Sequence, residues 1–285
     1  MKVVIVTDPI RAYGLEMVSE LWRVGYFVIA IVKNATESEL VYKTITHRYN
    51  FAQIETIVGN FESIRSLRQI VLNVKLLSTK HKFDSIYAII CNQEKIYSEF
   101  KMNEDMIEYN FFYNYLTNIF LCESLIDFLK KENGSRVIIP TLPQSQLLGI
   151  NLNDIYRERA FRPQDANRQA KFANALMAGY FNHLYNTDKE DSVKAVLYET
   201  RDVAKDEEYD KEKAQGRLAR LLNKPTEFET FMNTIIGLVN VKSISGMCYK
   251  NSRPVSAPNV VHNKEMGEKF WKVSQKLSRL KYFSE

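Results

Sequence analysis

The stretch "KVVIVTDPIRAYGLEMVSELWRVGYFVIAIVKN" (residues 2–34) decides the fold. "KVVIVT" (2–7) is a short β-branched apolar run, the composition of a strand buried on both faces. A turn with Pro9 and Gly14 follows. "LEMVSELWRVG" (15–25) spaces its apolar residues as an amphipathic helix and stops at Gly25. "YFVIAIV" (26–32) is the next buried strand. Strand, helix and strand in this order begin a parallel sheet covered by helices.

The alternation continues outward. "ETIVG" (55–59), "DSIYAIIC" (84–91), "SRVIIPT" (135–141) and "SVKAVLY" (192–198) read as the third to sixth strands. Between them lie "SIRSLRQIVLNVKLLSTKHK" (63–82), a long helix over 104–134 capped by Gly134, and "RQAKFANALMAGYFNHLY" (168–185). Helices over 227–240 and 263–280 close the chain. The expected fold is α/β: a single doubly wound parallel sheet, a Rossmann fold with helices on both faces, forming one domain over 1–285. Two loop or lid stretches, 143–166 and 199–226, follow C-terminal strand ends, where such sheets bind ligands.

Composition narrows the function class. The 285 residues are 45% apolar and 26% charged, as in a soluble globule with a large core. The net charge of +5 is spread along the chain without a lysine/arginine block, which argues against nucleic acid as a partner. Cys91, Cys122 and Cys248 are odd in number and widely spaced, and His47, His81, His183 and His262 show no ligand pattern, so neither a disulfide framework nor a metal site is expected. "YFVIAIV" is the longest apolar run and is too short to span a bilayer. A reduced cytoplasmic setting without a transmembrane segment is expected. "KAQGRLARLLNK" (213–224) reads as a solvated lid helix or as a helix lying on a membrane surface; Gly216 and the acidic residues over 206–212 favour the lid.

"NRQAKFANAL" (167–176) carries the candidate chemistry. Phe172, Leu176 and Tyr180 recur at helical spacing, with Lys171 beside that stripe. Asn167, one turn earlier, faces the same way. Lys171 is either a solvated helix residue or a lysine that reaches into a site.

Four stretches together resemble the short-chain dehydrogenases/reductases over nearly the whole chain: "FVIAIVKN", "NEDMIEYNFFYNYLTNIFL", "AKFANAL" and the tail "SGMCYKNSRPVSAP…EKFWKVSQKL". The chain is most similar to the branch of retinol dehydrogenases and WW-domain oxidoreductases. The resemblance implies a cofactor turn TGxxxGxG, whose glycines let the backbone approach a pyrophosphate at a helix N-terminus. Here the turn is "TDPIRAYG" (7–14): Gly14 remains, while Asp8 and Ala12 take the other two glycine positions. Asp8 brings a carboxylate near the expected phosphate charge, which is costly where water is scarce. Arg11 matches an arginine of NADP-preferring members; it pairs with Asp8 or a phosphate, or is an exposed turn residue. Lys33 stands for the arginine that binds the adenosine 2′-phosphate, or is a solvated strand-end lysine. NADP(H) is therefore the cofactor expected if a dinucleotide binds. Asn60 replaces an aspartate near the adenine. In "CNQE" (91–94), Asn92 persists and Glu94 replaces a glycine.

The same resemblance implies a catalytic tyrosine, a lysine one turn later, a serine that polarises the carbonyl and an asparagine that supports a relay water. Lys171 and Asn114 match the lysine and the asparagine. Asn167 and Leu142 stand in the tyrosine and serine positions, which leaves Lys171 as a retained helix residue that pairs with Glu94 or Asp8 in the old cleft. Losing the acid/base costs about 10²–10⁴-fold in rate, and losing the oxyanion-type donor about 10²–10³-fold. Thr141 or Ser145 for the serine, and Tyr156 or Tyr198 for the tyrosine, are the available substitutes. A proline-glycine pair near the nicotinamide is replaced within Tyr198, Glu199 and Thr200. The expected function is a catalytically degenerate homologue, a pseudoenzyme with a remnant NADP-type cleft that acts by binding or regulation. The rival is an active NADP-dependent oxidoreductase of retinoid-, steroid- or lipid-like carbonyls, with a small apolar carbonyl or alcohol as ligand. A scaffold that binds no nucleotide is a third reading. The aromatics Tyr109, Phe112, Tyr113 and Tyr115 read mostly as core, and the helix that carries them is a candidate for homodimerisation or for an unknown protein partner.

Overall fold

In the computed structural model, β1 (Val3–Thr7) and β2 (Phe27–Val32) are buried along their whole length. Successive side chains enter opposite layers. Val3 and Ile5 join one core with Phe27, Ile29 and Ile31. Val4 and Val6 join the other with Val28, Ala30 and Val32. The structure describes residues 1–11, 13–48, 54–187, 192–200, 227–241, 244 and 247–280. The expectations about Ala12, the basic stretch 213–224 and most of the loop 199–226 lie outside the described residues.

The remaining strands are β3 (Ile54–Val58), β4 (Ala88–Ile90), β5 (Arg136–Thr141), β6 (Lys194–Glu199), β7 (Cys248–Lys250) and β8 (Arg253–Val255). Their order is β3-β2-β1-β4-β5-β6-β7-β8. Every neighbouring pair is parallel except β7 and β8, which form a hairpin. The expected wholly parallel sheet is corrected at this edge. Asn251 and Ser252 turn the hairpin with φ of 50° and 61°, the left-handed pair that matches strand twist. Pro254 is tolerated because β8 is an edge strand.

Helices cover both faces. α1 (Gly14–Arg23), α2 (Ala35–Arg48) and α8 (Glu227–Asn240) bury Met17, Leu21, Val41, Ile45, Ile235 and Leu238 against one face. The opposite face takes α3 (Ile64–His81), the segmented long helix, α7 (Pro163–Tyr185) and α9 (Lys264–Ser278). Each fully buried Val, Leu, Ile or Phe contributes about 1.5–3 kcal/mol of transfer free energy. Both layers are thus needed to bury a sheet that is apolar on each side.

Three helix boundaries differ from the sequence reading, among them the end of the long helix, which stops at Lys130 and not at a Gly134 cap. The long helix begins at Tyr109, not at residue 104. Asn103 Oδ1 accepts from the N–H groups of Asp105 and Ile107, both at 3.0 Å, and Met106 adopts φ 60°. Glu108 then caps the helix by accepting from the N–H groups of Asn110 (2.9 Å) and Phe111 (2.8 Å). α4 (Tyr109–Phe111) runs into a π turn over Phe112–Leu116, then α5 (Thr117–Ser124) and, after a break at Leu125, α6 (Ile126–Lys130). Phe112, Tyr113 and Tyr115 are buried in the core. α7 starts at Pro163, where the fixed φ of proline suits the first helical position. The expected loop 143–166 therefore ends at 162, and holds short 3-10 turns at Gln144–Gln146 and Glu158–Ala160.

Strand order reverses between β1 and β4, so the crevice beyond their C-terminal ends is the place for a ligand in this architecture. Among the described residues, no helix is long and apolar enough to cross a membrane.

Candidate active site

The chain leaves β1 through Asp8, which is wholly buried with φ 46°. Left-handed backbone costs a residue with a Cβ about 1–2 kcal/mol. Contacts hold Asp8 there. Its N–H donates to Ile31 O (2.9 Å), and its carbonyl accepts from Asn92 Nδ2 (3.0 Å). Its carboxylate is the hub: Oδ2 accepts from the Tyr113 hydroxyl at 2.7 Å, and lies 3.0 Å from Lys33 Nζ and 3.4 Å from Arg11 Nε. Among the described residues its Oδ1 is buried without a hydrogen-bond partner. Arg11 and Lys33 are thus both ion-paired, and the readings of each as a free surface residue are corrected. Lys33 also lies 5.6 Å from the centre of the Tyr113 ring. Burial, followed by the Asp8 charge and hydrogen bond, pushes the Tyr113 hydroxyl far up. Burial, with Lys33 and Arg11 nearby, holds the Lys95 ammonium below its usual range.

Gly14 opens α1 against the turn itself. A Cβ there would lie 2.5 Å from the carbonyl oxygen of Pro9, so the absence of a side chain is required by internal packing. Asn60 is exposed at the end of β3, and the Ser66 hydroxyl donates to its carbonyl (2.5 Å).

The segment after β4 is fastened at several points. Asn92 donates its N–H to Thr7 Oγ1 (2.9 Å). Gln93 bonds Thr7 Oγ1 on one side and Asn118 Oδ1 on the other. Asn118 Nδ2 donates to Asn174 Oδ1 (3.0 Å), and Asn174 Nδ2 donates to the carbonyls of Asn114 and Pro140, both at 3.1 Å. This buried amide chain joins β1, the β4 loop, α5, α7 and β5. Single-sequence reading missed it, because its members are scattered asparagines and glutamines without a spacing rule. Asn114, in the π turn, uses both ends of its amide on the loop backbone: Oδ1 accepts from Lys95 N–H (2.9 Å) and Nδ2 donates to Lys95 O (2.8 Å). Asn110 pairs with Tyr97 in the same way.

The loop so fixed delivers Glu94 to Lys171. Lys171 is wholly buried on α7, and its Nζ lies 3.1 Å from Glu94 Oε1. Asn167, also wholly buried one turn earlier, donates Nδ2 to the same oxygen at 3.3 Å. Lys171 is therefore not a solvated helix residue, and its partner is a carboxylate. The expected substitutes are placed elsewhere or engaged. Leu142 is fully buried and its side chain has no polar atom to offer. Thr141 is buried, and its hydroxyl lies 3.5 Å from the carbonyls of Leu142 and Lys171. Ser145 is exposed in a 3-10 turn. The Tyr198 hydroxyl donates to Cys91 O (3.3 Å), and burial pushes it well up. Tyr156 packs 5.6 Å from the Phe111 ring, and burial moves its hydroxyl up to about 12. Neither tyrosine is acidified.

These residues do not fit a dinucleotide as they stand. Asp8 and Glu94 occupy two glycine positions of the resemblance, and the cations expected to hold the cofactor, Lys33 with Arg11 and Lys171, are ion-paired to those carboxylates. A phosphate brought to Lys33 would meet a buried like charge.

No protein-family model matches the chain. Whole-chain likeness is clearer. A human polyprenol dehydrogenase is 24% identical over 96% of this chain and 84% of its own length. A chicken WW domain-containing oxidoreductase is 24% identical over 48% of this chain and 32% of its own length. The crystal structure of an uncharacterized protein from Mycobacterium paratuberculosis superposes with a TM-score of 0.72 over 98% of this chain and 94% of that chain, at 17% identity. A metagenomic short-chain oxidoreductase solved in complex with NADP superposes with a TM-score of 0.58 over 90% of this chain and 94% of that one, at 13% identity. The solved structures establish the shared sheet and helix order. Joined to the near full-length sequence likeness, they support a likeness of the chain to the short-chain dehydrogenase/reductase superfamily.

Proposed function

We propose that this chain is a catalytically degenerate member of that superfamily, a pseudoenzyme that acts by binding or regulation through a remnant NADP-type cleft. The observation that carries the proposal is the joint placement of Asn167, Glu94 and Lys171. Carbonyl reduction needs a group that gives up a proton near the oxygen as charge develops there. The Asn167 amide has no such proton at neutral pH, and the ammonium one turn later is engaged by Glu94. The Leu142 position offers no hydrogen bond to the carbonyl oxygen. Asn114 keeps the place of the relay asparagine, but its amide is committed to the Lys95 backbone. A cytoplasmic setting is part of the proposal. The test is turnover with NADPH against a panel of aldehydes and ketones. The expected result is a rate no higher than without protein; turnover that disappears in Lys171→Ala overturns it.

The near full-length likeness to a protein named as a polyprenol dehydrogenase favours a second reading: an NADP-dependent oxidoreductase of apolar, lipid-like carbonyls or alcohols. In that reading Glu94, 3.1 Å from Lys171, takes over as base. The same turnover panel, extended to long-chain apolar alcohols with NADP, decides between the two.

A further inference from the structure

Two acidic residues stand at cofactor-turn and loop positions where the resemblance expects glycine, and each lies against a cation that would otherwise face the cofactor. Asp8 sits between Lys33 (3.0 Å) and Arg11 (3.4 Å). Glu94 sits on Lys171 (3.1 Å). The two pairs come from different elements. Asp8 is held by the turn after β1, and Glu94 by the loop that Asn110 and Asn114 pin to the long helix. Neither is a loose surface ion pair: Asp8 and Lys171 are wholly buried, and the side chains of Arg11, Lys33 and Glu94 are less than a third exposed. The Tyr113 hydroxyl adds a neutral donor to Asp8, so this carboxylate has the donor set that an oxyanion ligand would receive.

We infer that Asp8 and Glu94 are resident counter-ions of the cleft: each carboxylate occupies a cation otherwise available to the cofactor, so the native protein excludes NADP(H) and its cleft admits only ligands without phosphate charge. The inference rests on the proposed reading of the cleft as a remnant and names what closes it. A phosphate entering beside Lys33 would have to displace a covalently tethered anion or lie next to it, and like charges set together cost several kcal/mol in a desolvated site. The backbone at Asp8 already has the conformation that glycine adopts freely, φ 46°. Removing the side chain therefore frees the cations without asking the turn to move.

The experiment is calorimetric titration of the full chain with NADPH and, separately, with NADH, on the native protein, Asp8→Gly, Asp8→Asn and Asp8→Gly/Glu94→Gln. Circular dichroism and a melting curve accompany each protein. The native protein is expected to bind NADPH more weakly than about 100 µM. Asp8→Gly should tighten NADPH binding at least about tenfold, and more than it tightens NADH binding, because the freed Lys33 meets the additional phosphate. Adding Glu94→Gln should tighten both. If Asp8→Gly does not fold, Asp8→Asn, which also tolerates left-handed backbone, carries the same expectation with a smaller gain. Tight binding of NADPH by the native protein, or folded Asp8 variants with unchanged affinity, overturns the inference. Binding without turnover leaves the pseudoenzyme reading standing, whereas turnover by the native protein overturns that reading.

Discussion

Lys171 and Glu94 form an ion pair at 3.1 Å in which the ammonium is completely shielded from water. Breaking such a pair from one side leaves an uncompensated buried charge, which costs about 3–5 kcal/mol. Glu94→Leu or Lys171→Met alone is therefore expected to lower unfolding free energy by that order, while Lys171→Met combined with Glu94→Leu recovers most of it. Urea unfolding of the two single variants and the double variant gives the coupling between the sites. Additive losses would show that the pair is not what holds Lys171 in the core.

The catalytic positions can be restored without reopening the cleft, and the two operations should be separable. Asn167→Tyr with Leu142→Ser is expected to remain inactive with NADPH. The same pair combined with Asp8→Gly and Glu94→Gly is expected to give measurable reduction of aldehydes, followed as loss of NADPH absorbance. Activity in the first variant alone would show that the cofactor already binds productively.

Glu123 provides a pH signature away from the cleft. Burial moves its carboxyl up to about 7 from an ordinary value of 4.5, against the lowering effect of its hydrogen bond with Tyr185 and the charge of Lys130. Because the folded state holds this proton more tightly than the unfolded state, the contribution is intact below about pH 4.5 and is lost as pH rises through 7. Glu123→Gln should thus stabilise the protein by about 2 kcal/mol at pH 8 and by little at pH 4.5. Thermal melts of both proteins across that range check it; equal melting differences at both ends contradict the assignment.

Gly179 on α7 lies so close to the 3-10 turn over Asn259–His262 that a Cβ would stand 2.1 Å from Val261 O. The obstacle is backbone, which cannot rotate aside. Gly179→Ala should cost about 1–3 kcal/mol through overpacking, despite the better helix propensity of alanine. A denaturation midpoint equal to that of the native protein would contradict this contact.

How much of this was legible beforehand depends on the kind of signal. The buried strands announced themselves because Val, Ile and Phe runs have no other place in a two-layered sheet. α3 was readable from its apolar spacing and from Ser63, whose hydroxyl accepts from Ser66 N–H at 3.2 Å. α2 was missed: few of its positions, Val41 and Ile45 among them, enter the core, so its pattern is faint. The start of the long helix was misplaced because Asn103 and Glu108 act through side-chain bonds to backbone, which leave no periodic trace. In the cleft, Asp8 was readable as a partner of Arg11, and Glu94 or Asp8 as a partner of Lys171, while the pairing of Lys33 with Asp8 was not. The choice of Glu94 for Lys171 depends on loop geometry set by Asn110 and Asn114, far from either partner in sequence.

The left-handed turn at Asp8 has one more consequence. A fold usually records an occupied site in the shape of its main chain, and here the main chain keeps the outline of an open site while two carboxylates, Asp8 and Glu94, sit on its cations. On the proposed reading the barrier to a nucleotide is chemical rather than architectural, carried by a few atoms beyond two Cα atoms. A cleft closed in this way is silent without being dismantled. Its helices, its strand ends and its amide framework remain set as they would be around a guest.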